Sequence, residues 1–292
     1  MATAVDALLA ALDLEQIEVN LFRGASMDMG WQRVYGGQVI GQALVAASRT
    51  VEPDRPVHSL HGYFMRPGDP AHPIVYDVIR DRDGGSFSTR RVVAIQLGQP
   101  IFSMSCSFHQ DEDGLTHQDA MPDVPAPETL ANGRELAQRF GAAAPPALRR
   151  YFERDRPIEM KPCHPEHFIA PERDLSGRLD LWFRAAAPLA DDPVLHRCVL
   201  AYASDMTMID TVLGRHGRNM FDARMMIASL DHSIWFHRPF RADDWLLYAQ
   251  HSPSAAKARG LTFGHIYSRT GELIASVAQE GLIRVKRELS EK

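Results

Sequence analysis

The stretch ASLDHSIWFHRPF, Ala228 to Phe240, crowds serine hydroxyls, an acid, two histidines, an arginine and three aromatics into thirteen residues that otherwise read as a strand. A fainter copy lies upstream in HSLHGYFMRP, His58 to Pro67, where Phe64, Arg66 and Pro67 precede Phe236, Arg238 and Pro239 by 172 residues. Ile74-Val75-Tyr76 precedes Leu246-Leu247-Tyr248, and Ile101-Phe102 precedes Leu273-Ile274, by the same 172. The strands between match only if the offset drops to 169, setting Arg90 against Arg259. A shared offset points to one domain pattern used twice.

Working outward, 292 residues suit two domains of about 150 residues each. A net charge of −5 argues against a nucleic-acid partner, because duplex affinity depends on clustered Lys and Arg. Three cysteines, Cys106, Cys163 and Cys198, are odd in number and lack metal-ligand spacing, which fits a reducing compartment better than a disulfide framework. The N-terminal MATAVDALLAALDLEQIEVNLF lacks a basic leader and is interrupted by Asp6, Asp13, Glu15 and Glu18. It reads as an amphipathic helix docking Leu8, Leu9, Leu12 and, after a turn, Ile17 on the core. No run of 18 apolar residues is present, so no membrane partner is expected. The terminal Ser290-Glu291-Lys292 is not the peroxisomal tripeptide, and the cytoplasm is the expected location.

Val34 to Val51, VYGGQVIGQALVAASRTV, reads as a buried helix entered through Gly36-Gly37. Its spacing is neither GxGxxG nor a Walker motif. Strand-like runs follow at His58–Arg66, Ile74–Arg82, Phe87–Leu97 and Ile101–Gln110, with turn signals at Gly84-Gly85 and Gly98. From Asp111 to Arg173 prolines accumulate, and an interdomain segment is expected there as a belt along the surface, with short helices between Thr129 and Phe152. This divides the chain into domains at 1–115 and 176–292, joined by 116–175. The second domain repeats the plan: RLDLWFRA as a strand, CVLAYASDMTMIDTVL as a helix, then strands at Ser229–His237, Trp245–His251, Arg259–Arg269 and Glu272–Arg284.

The runs VYGGQVIGQAL, VHSLHGYFMRPGD, RDGGSFSTRRV, QPIFSMSCSF, LAYASD, SLDHSIWFHRPF and QEGLIR resemble, in order and across nearly the whole chain, those of the type II acyl-CoA thioesterases, the TesB-like family. The resemblance implies an α+β tandem double hotdog, each half a long helix wrapped by an antiparallel sheet. It also implies acyl-CoA as substrate, hydrolysis to a free fatty acid and CoA, and a homo-oligomer, dimer or tetramer. The family's Asp-Thr/Ser-Gln triad falls on Asp205, Ser229 and Gln279. Serine in place of the commoner threonine keeps the donor and acceptor but loses stiffness at χ1.

On their own terms these residues leave alternatives open. Asp205 on an apolar stripe with Val199, Tyr202 and Met206 or Met208 is a candidate base or a structural acid acting as a cap. Ser229, first polar residue of a strand, also reads as a turn hydroxyl. Gln279 can hold a water and face a carbonyl oxygen, whereas the upstream copy has Ser107 there. The upstream helix carries no acid between Gly37 and Thr50, so one working site per chain is expected, built mainly by the second domain, with helix-start N–H groups as oxyanion donors. No GxSxG elbow supports a covalent serine route.

His58, His61, His232 and His237 fit hydrogen-bonded structural roles better than general-base roles. Arg90, Arg91, Lys257 and Arg259 are candidates for CoA phosphates, against the alternative of exposed strand charges. No cofactor is expected, and no HExxH or CxxC spacing points to a metal. Two other readings remain, a hotdog enoyl-CoA hydratase and a non-catalytic acyl-CoA-binding sensor. The helix-entry Asp and His pairing of the first is not visible, and Asp205 with Gln279 argues against the second.

Overall fold

A small-residue stripe lets the two long helices of the chain lie against each other, and everything else is arranged around that contact. In a computed structural model describing residues 3–27, 30, 32–141, 146–170 and 175–286, α2 (Gly36–Ser48) and α6 (Pro193–Ser204) pack together. A Cβ on Gly41 would come 3.2 Å from the Cys198 carbonyl, and Ala43, Ala46, Ala47, Ala201 and Ala203 are buried beside it. Around α2 run β3 (Val57–Phe64), β4 (Ile74–Asp83), β5 (Phe87–Gln96) and β6 (Gln99–His109). Around α6 and the shorter α7 (Met208–Gly214) run β10 (Asp231–Phe236), β11 (Leu246–Ala256), β12 (Arg259–Ser268) and β13 (Leu273–Val285). Burial alternates along β5, with Ser88, Arg90, Val92, Ala94 and Gln96 buried and the residues between them more exposed, so one face lies on the helix and one outward. This is the expected α+β double hotdog.

The two sheets fuse. The order 4-5-6-3 of the first half meets 10-13-12-11 of the second through antiparallel pairing of β3 with β10. In that ladder His61 stands opposite Ser233, its own copy 172 residues on, and the His61 ring nitrogen meets the Ser233 hydroxyl at 3.1 Å. A residue facing its own copy is what a pseudo-twofold axis requires. The outer strands repeat too: β2 (Leu21–Gly24) flanks β4 as β8 (Arg178–Ala185) flanks β11. β1 (Glu15–Glu18) pairs with β2, and β9 (Met225–Ser229) pairs with β13.

The N-terminal α1 (Ala4–Leu12) is closed by a Thr3 capping box and buries Val5, Leu8, Ala11 and Leu12. Ile17, expected on the core, lies in β1 at 47% exposure, because the chain after Leu14 extends into an edge strand. The proline-rich segment supplies α3 (Gly133–Phe140), α4 (Pro146–Glu153), the edge strand β7 (Ile158–Pro162) and α5 (Glu166–Ile169). Its early part lies over the outer sheet face: Trp182 Nε1 donates to the Pro125 carbonyl, while Met121, Val124 and Leu130 pack on Trp182, Trp245 and Tyr267. The C-terminal tripeptide lies outside the described residues.

The repeat is more regular than the sequence offset suggested. Met65 and Arg66 N–H groups both meet the Ile101 carbonyl, and those of His237 and Arg238 both meet that of Ile274. An offset of 172 on β3 therefore becomes 173 on β6, because the turn after β12 is one residue longer than the turn after β5: Gln96 pairs with Gln99, whereas Ser268 meets Glu272, and matching bulges at Ala94/Ile95 and Ile266/Tyr267 keep the register the same in both halves. Arg90 pairs with Cys106 as Thr262 pairs with Gln279, so the copy of Arg90 is Thr262, not Arg259. The copy of Gln279 is correspondingly Cys106, not Ser107, since a one-residue slip moves a side chain to the opposite face.

Candidate active site

The segment expected as one helix through Asp205 is two. α6 starts at Pro193, with the Asp192 side chain accepting the Val194 N–H, and ends at Ser204. Thr207 then leaves helical geometry, its hydroxyl bonded to Gln250 at 3.1 Å, and α7 sets off along the sheet. Asp205 is thereby the residue that closes α6 rather than a member of its stripe.

At this break a directed chain of hydrogen bonds forms. Ser229 Oγ donates to Asp205 Oδ1 at 3.2 Å, and Gln279 Nε2 donates to Ser229 Oγ at 2.9 Å. Gln279 Oε1 lies 2.6 Å from His232 Nδ1, and His232 Nε2 lies 2.8 Å from Ser204 Oγ. A carbonyl oxygen only accepts, so Nδ1 carries the ring hydrogen, and Nε2 is left as an acceptor that shares the single Ser204 hydroxyl hydrogen with the Ala201 carbonyl, 2.9 Å from the same oxygen. The chain starts at Ser204 and ends at its neighbour Asp205. Asp205, Ser229 and Gln279 are thus brought into one set. His232, assigned a structural role from sequence, is the fourth member and fixes which way the Gln279 amide faces.

The strand pattern explains the convergence. β9 and β10 are separated at Leu230, whose carbonyl accepts from Phe64 and whose N–H donates to Glu280. That interruption of the single strand expected from Ser229 to His237 puts Ser229 opposite Gly281 on β13. Gln279, two residues along, points to the same inward side and is 1% exposed.

The first half supplies the other wall. A Cβ on Gly36 would lie 2.6 Å from Asp205 Oδ2, and one on Gly37 would lie 2.2 Å from the Tyr202 carbonyl. Only glycine admits so close an approach. Tyr35 anchors the turn, its hydroxyl donating to the Tyr202 carbonyl at 2.9 Å. The positive end of α2 is therefore aimed at the acid of the second half. The glycine pair was legible as a turn, but nothing local in the sequence says what approaches it.

Burial pushes the Asp205 carboxyl up to about 6, opposed by hydrogen bonds from Gln279, Ser229 and the Gly37 N–H. Burial likewise lowers His232 to about 4, leaving the ring neutral. Asp210, 3% exposed and accepting the Met220 N–H at 3.0 Å, is pushed up to about 7 by the same cause. Asp205, Ser229 and Gly36 open on a cavity of about 470 Å³ with apolar walls at Val39, Phe64, Ile101, Phe102, Ile209 and Ile227. Cys106, Cys163 and Cys198 are buried with thiols raised, which makes none of them a ready thiolate. Among the described residues no cluster of His, Cys, Asp or Glu could hold a metal.

None of the four basic candidates lines this cavity. Arg90 is 1% exposed and is held by Thr50 and Asp83, a buried strut beneath α2 rather than a surface cation. Arg91 pairs with Asp81 and Arg259 with Glu280. Lys257 sits with Ala258 in the left-handed turn joining β11 to β12. Arg90 as a phosphate ligand is corrected on this ground.

Residues 25–109 match the family profile described as acyl-CoA thioesterase N-terminal domain, and residues 151–282 match the one described as acyl-CoA thioesterase. The chain is 42% identical to the human protein named acyl-coenzyme A thioesterase 8, over 96% of this chain and 89% of that one. The crystal structure of acyl-CoA thioesterase II TesB2 from Mycobacterium marinum superposes with a TM-score of 0.78 at 45% identity, covering 95% of this chain and 98% of that one. A hot dog fold protein from Alicyclobacillus acidocaldarius, 19% identical, superposes with a TM-score of 0.75 over 96% of this chain and 99% of its own, and attests to the fold alone.

Proposed function

Because the chain belongs to the acyl-CoA thioesterase family, we propose that it hydrolyses acyl-CoA to a free acid and CoA by direct attack of water on the thioester. The observation that carries this reading is the placement of the Asp205 carboxylate: held by Ser229, Gln279 and Gly37, raised to about 6, and open to an apolar cavity. An acid with that pKa is ionised at neutral pH yet basic enough to take a proton.

In the proposed step, a water held between Asp205, Ser229 and Gln279 gives its proton to Asp205 as its oxygen bonds to the thioester carbon. The carbonyl oxygen becomes an oxyanion facing the start of α2. There the Gly36 N–H lines the cavity without a hydrogen-bond partner among the described residues. Collapse reforms the carbonyl, the C–S bond breaks with its electron pair on sulfur, and Asp205 returns the proton to the thiolate. Ser229 serves as a positioning donor, since its hydroxyl is committed to the carboxylate and its oxygen to Gln279. His232 does not meet the water; it holds Gln279 in the orientation that presents the amide N–H.

The test is release of free CoA from a series of saturated acyl-CoAs of increasing chain length. Thiol appearance with stoichiometric acid is expected for at least part of the series. Hydration of crotonyl-CoA without thiol release, or binding of every member without turnover, would reject the reading.

A further inference from the structure

Asp210 is a second acid on the catalytic cavity, and nothing in the proposed step uses it. It follows Asp205 across the break between α6 and α7, is 3% exposed, and lines the cavity with Met206, Ile209 and Met220. One oxygen, Oδ1, accepts the Met220 N–H at 3.0 Å. The other has no hydrogen-bond partner among the described residues and is not walled off from open space. Among those residues no cation pairs with the group, and Tyr151 lies near enough to feel its charge without bonding to it.

A structural role accounts for half of this carboxyl. Pinning Met220, and with it the chain after α7, takes one oxygen, which an asparagine would supply as well. The second, unpartnered oxygen of a desolvated acid is unfavourable to keep, and more so once a ligand fills the cavity and drives out solvent. An alkyl chain gives it no relief, since it carries no donor. The other acid of the cavity has no such deficit, for Asp205 is held by Ser229, Gln279 and the Gly37 N–H. The leaving-group arm of any acyl-CoA does carry a donor, the amide N–H two carbons from the thioester sulfur.

We propose that the free oxygen of Asp210 accepts this amide N–H, so that Asp210 is a substrate-binding residue that fixes the leaving-group arm beside the reacting bond. The inference rests on the acyl-CoA hydrolase reading and adds a contact that discriminates between leaving groups. With the arm along Met206, Ile209 and Asp210, the acyl chain is left the apolar wall at Val39, Phe64, Ile101 and Phe102. The contact also accounts for an acid rather than an amide at this position. The Met220 N–H would hold an amide by its oxygen and turn the NH2, a donor, toward the incoming N–H.

The experiment compares wild type with Asp210→Asn at pH 8, where a carboxyl pushed up to about 7 is ionised, on two thioesters of the same acyl group: one of N-acetylcysteamine, which keeps the amide N–H, and one of 2-mercaptoethyl acetate, which has oxygen in its place. Acyl-CoA is the reference substrate. Wild type is expected to favour the N-acetylcysteamine thioester in kcat/KM by about tenfold or more, the span of one hydrogen bond to a charged group, and Asp210→Asn to bring the two within about twofold. Because the ratio is taken within one preparation, it does not depend on the fraction of the variant that is folded. Absence of discrimination by wild type, or the same ratio in Asp210→Asn, would overturn the proposal, and so would turnover of acyl-CoA with neither short thioester cleaved. If wild type releases thiol from none of the three, the hydrolase reading fails and this one with it.

Discussion

At the scale of the residue, the electrostatics of Asp205 set the role proposed for it in opposition to stability. Its carboxyl is raised from 3.8 to about 6 by burial, so the folded state favours the protonated acid. The stabilisation this represents is present below about pH 4 and is lost as pH rises through 6. At pH 8 the ionised group costs up to about 3 kcal/mol relative to an unperturbed aspartate, at 1.36 kcal/mol per unit. Asp205→Asn is therefore expected to raise the melting temperature at pH 8 more than at pH 5, measured by thermal unfolding at both values; equal shifts would contradict the assignment. Asp210, at about 7, adds to the same trend in wild type. On the proposed mechanism the same carboxyl sets the pH–rate profile: wild-type kcat/KM should fall tenfold per unit below about pH 6, as Asp205 is protonated. Asp205, Ser229 and Gln279 were legible only through family resemblance, for each had a plain structural reading. The relation of His232 to Gln279 was not legible, because sequence does not say which ring nitrogen meets which neighbour. Nor was the engagement of Arg90, whose partner Thr50 is 40 residues away and whose inward face follows from register.

At the scale of the element, strand positions were legible from alternation and turns, and RLDLWFRA coincides with β8. What failed was continuity. Apolar periodicity runs through Asp205 and through Leu230, yet the chain breaks at both, because Thr207 turns to Gln250 and Leu230 is shared between β3 and β13. These two breaks position the acid and its serine. The start of α2 is the third device, and Gly36→Ala tests it. A Cβ there would press on Asp205 Oδ2 and on the Phe64 ring. The variant is expected to lose about tenfold or more in kcat, on the scale of one displaced catalytic donor. Because the added carbon must displace the carboxylate or the Phe64 ring, some loss of stability is expected as well, so kcat is compared by steady-state kinetics at a temperature where circular dichroism shows the variant folded. A variant with wild-type kcat would show that this approach is not needed for turnover.

At the scale of the whole molecule, the double hotdog works as one unit with unlike halves. β3 and β10 fuse the sheets, and α2 and α6 fuse the cores. Each half then lends the other something: the second gives the acid, serine and glutamine, and the first gives the helix start that faces them. At the equivalent place in the first half the register puts Leu60 where His232 stands, Cys106 where Gln279 stands and Arg90 where Thr262 stands. An apolar side chain, a buried thiol and a saturated guanidinium cannot hold a water for attack. The absence of an acid in the upstream helix pointed to one site per chain, and the aligned ladders support the same proposal with a corrected partner. The interlocking of the halves was beyond the sequence, since a 172-residue offset reports a repeat but not which ends of the copies meet. The most direct test of both the base and the single site is the steady-state rate of acyl-CoA hydrolysis by Asp205→Asn at pH 8. The account predicts a kcat at least about 100-fold below wild type with acyl-CoA binding retained. A residual rate above about a tenth of wild type would mean that Asp205 is not the base or that a second site is at work.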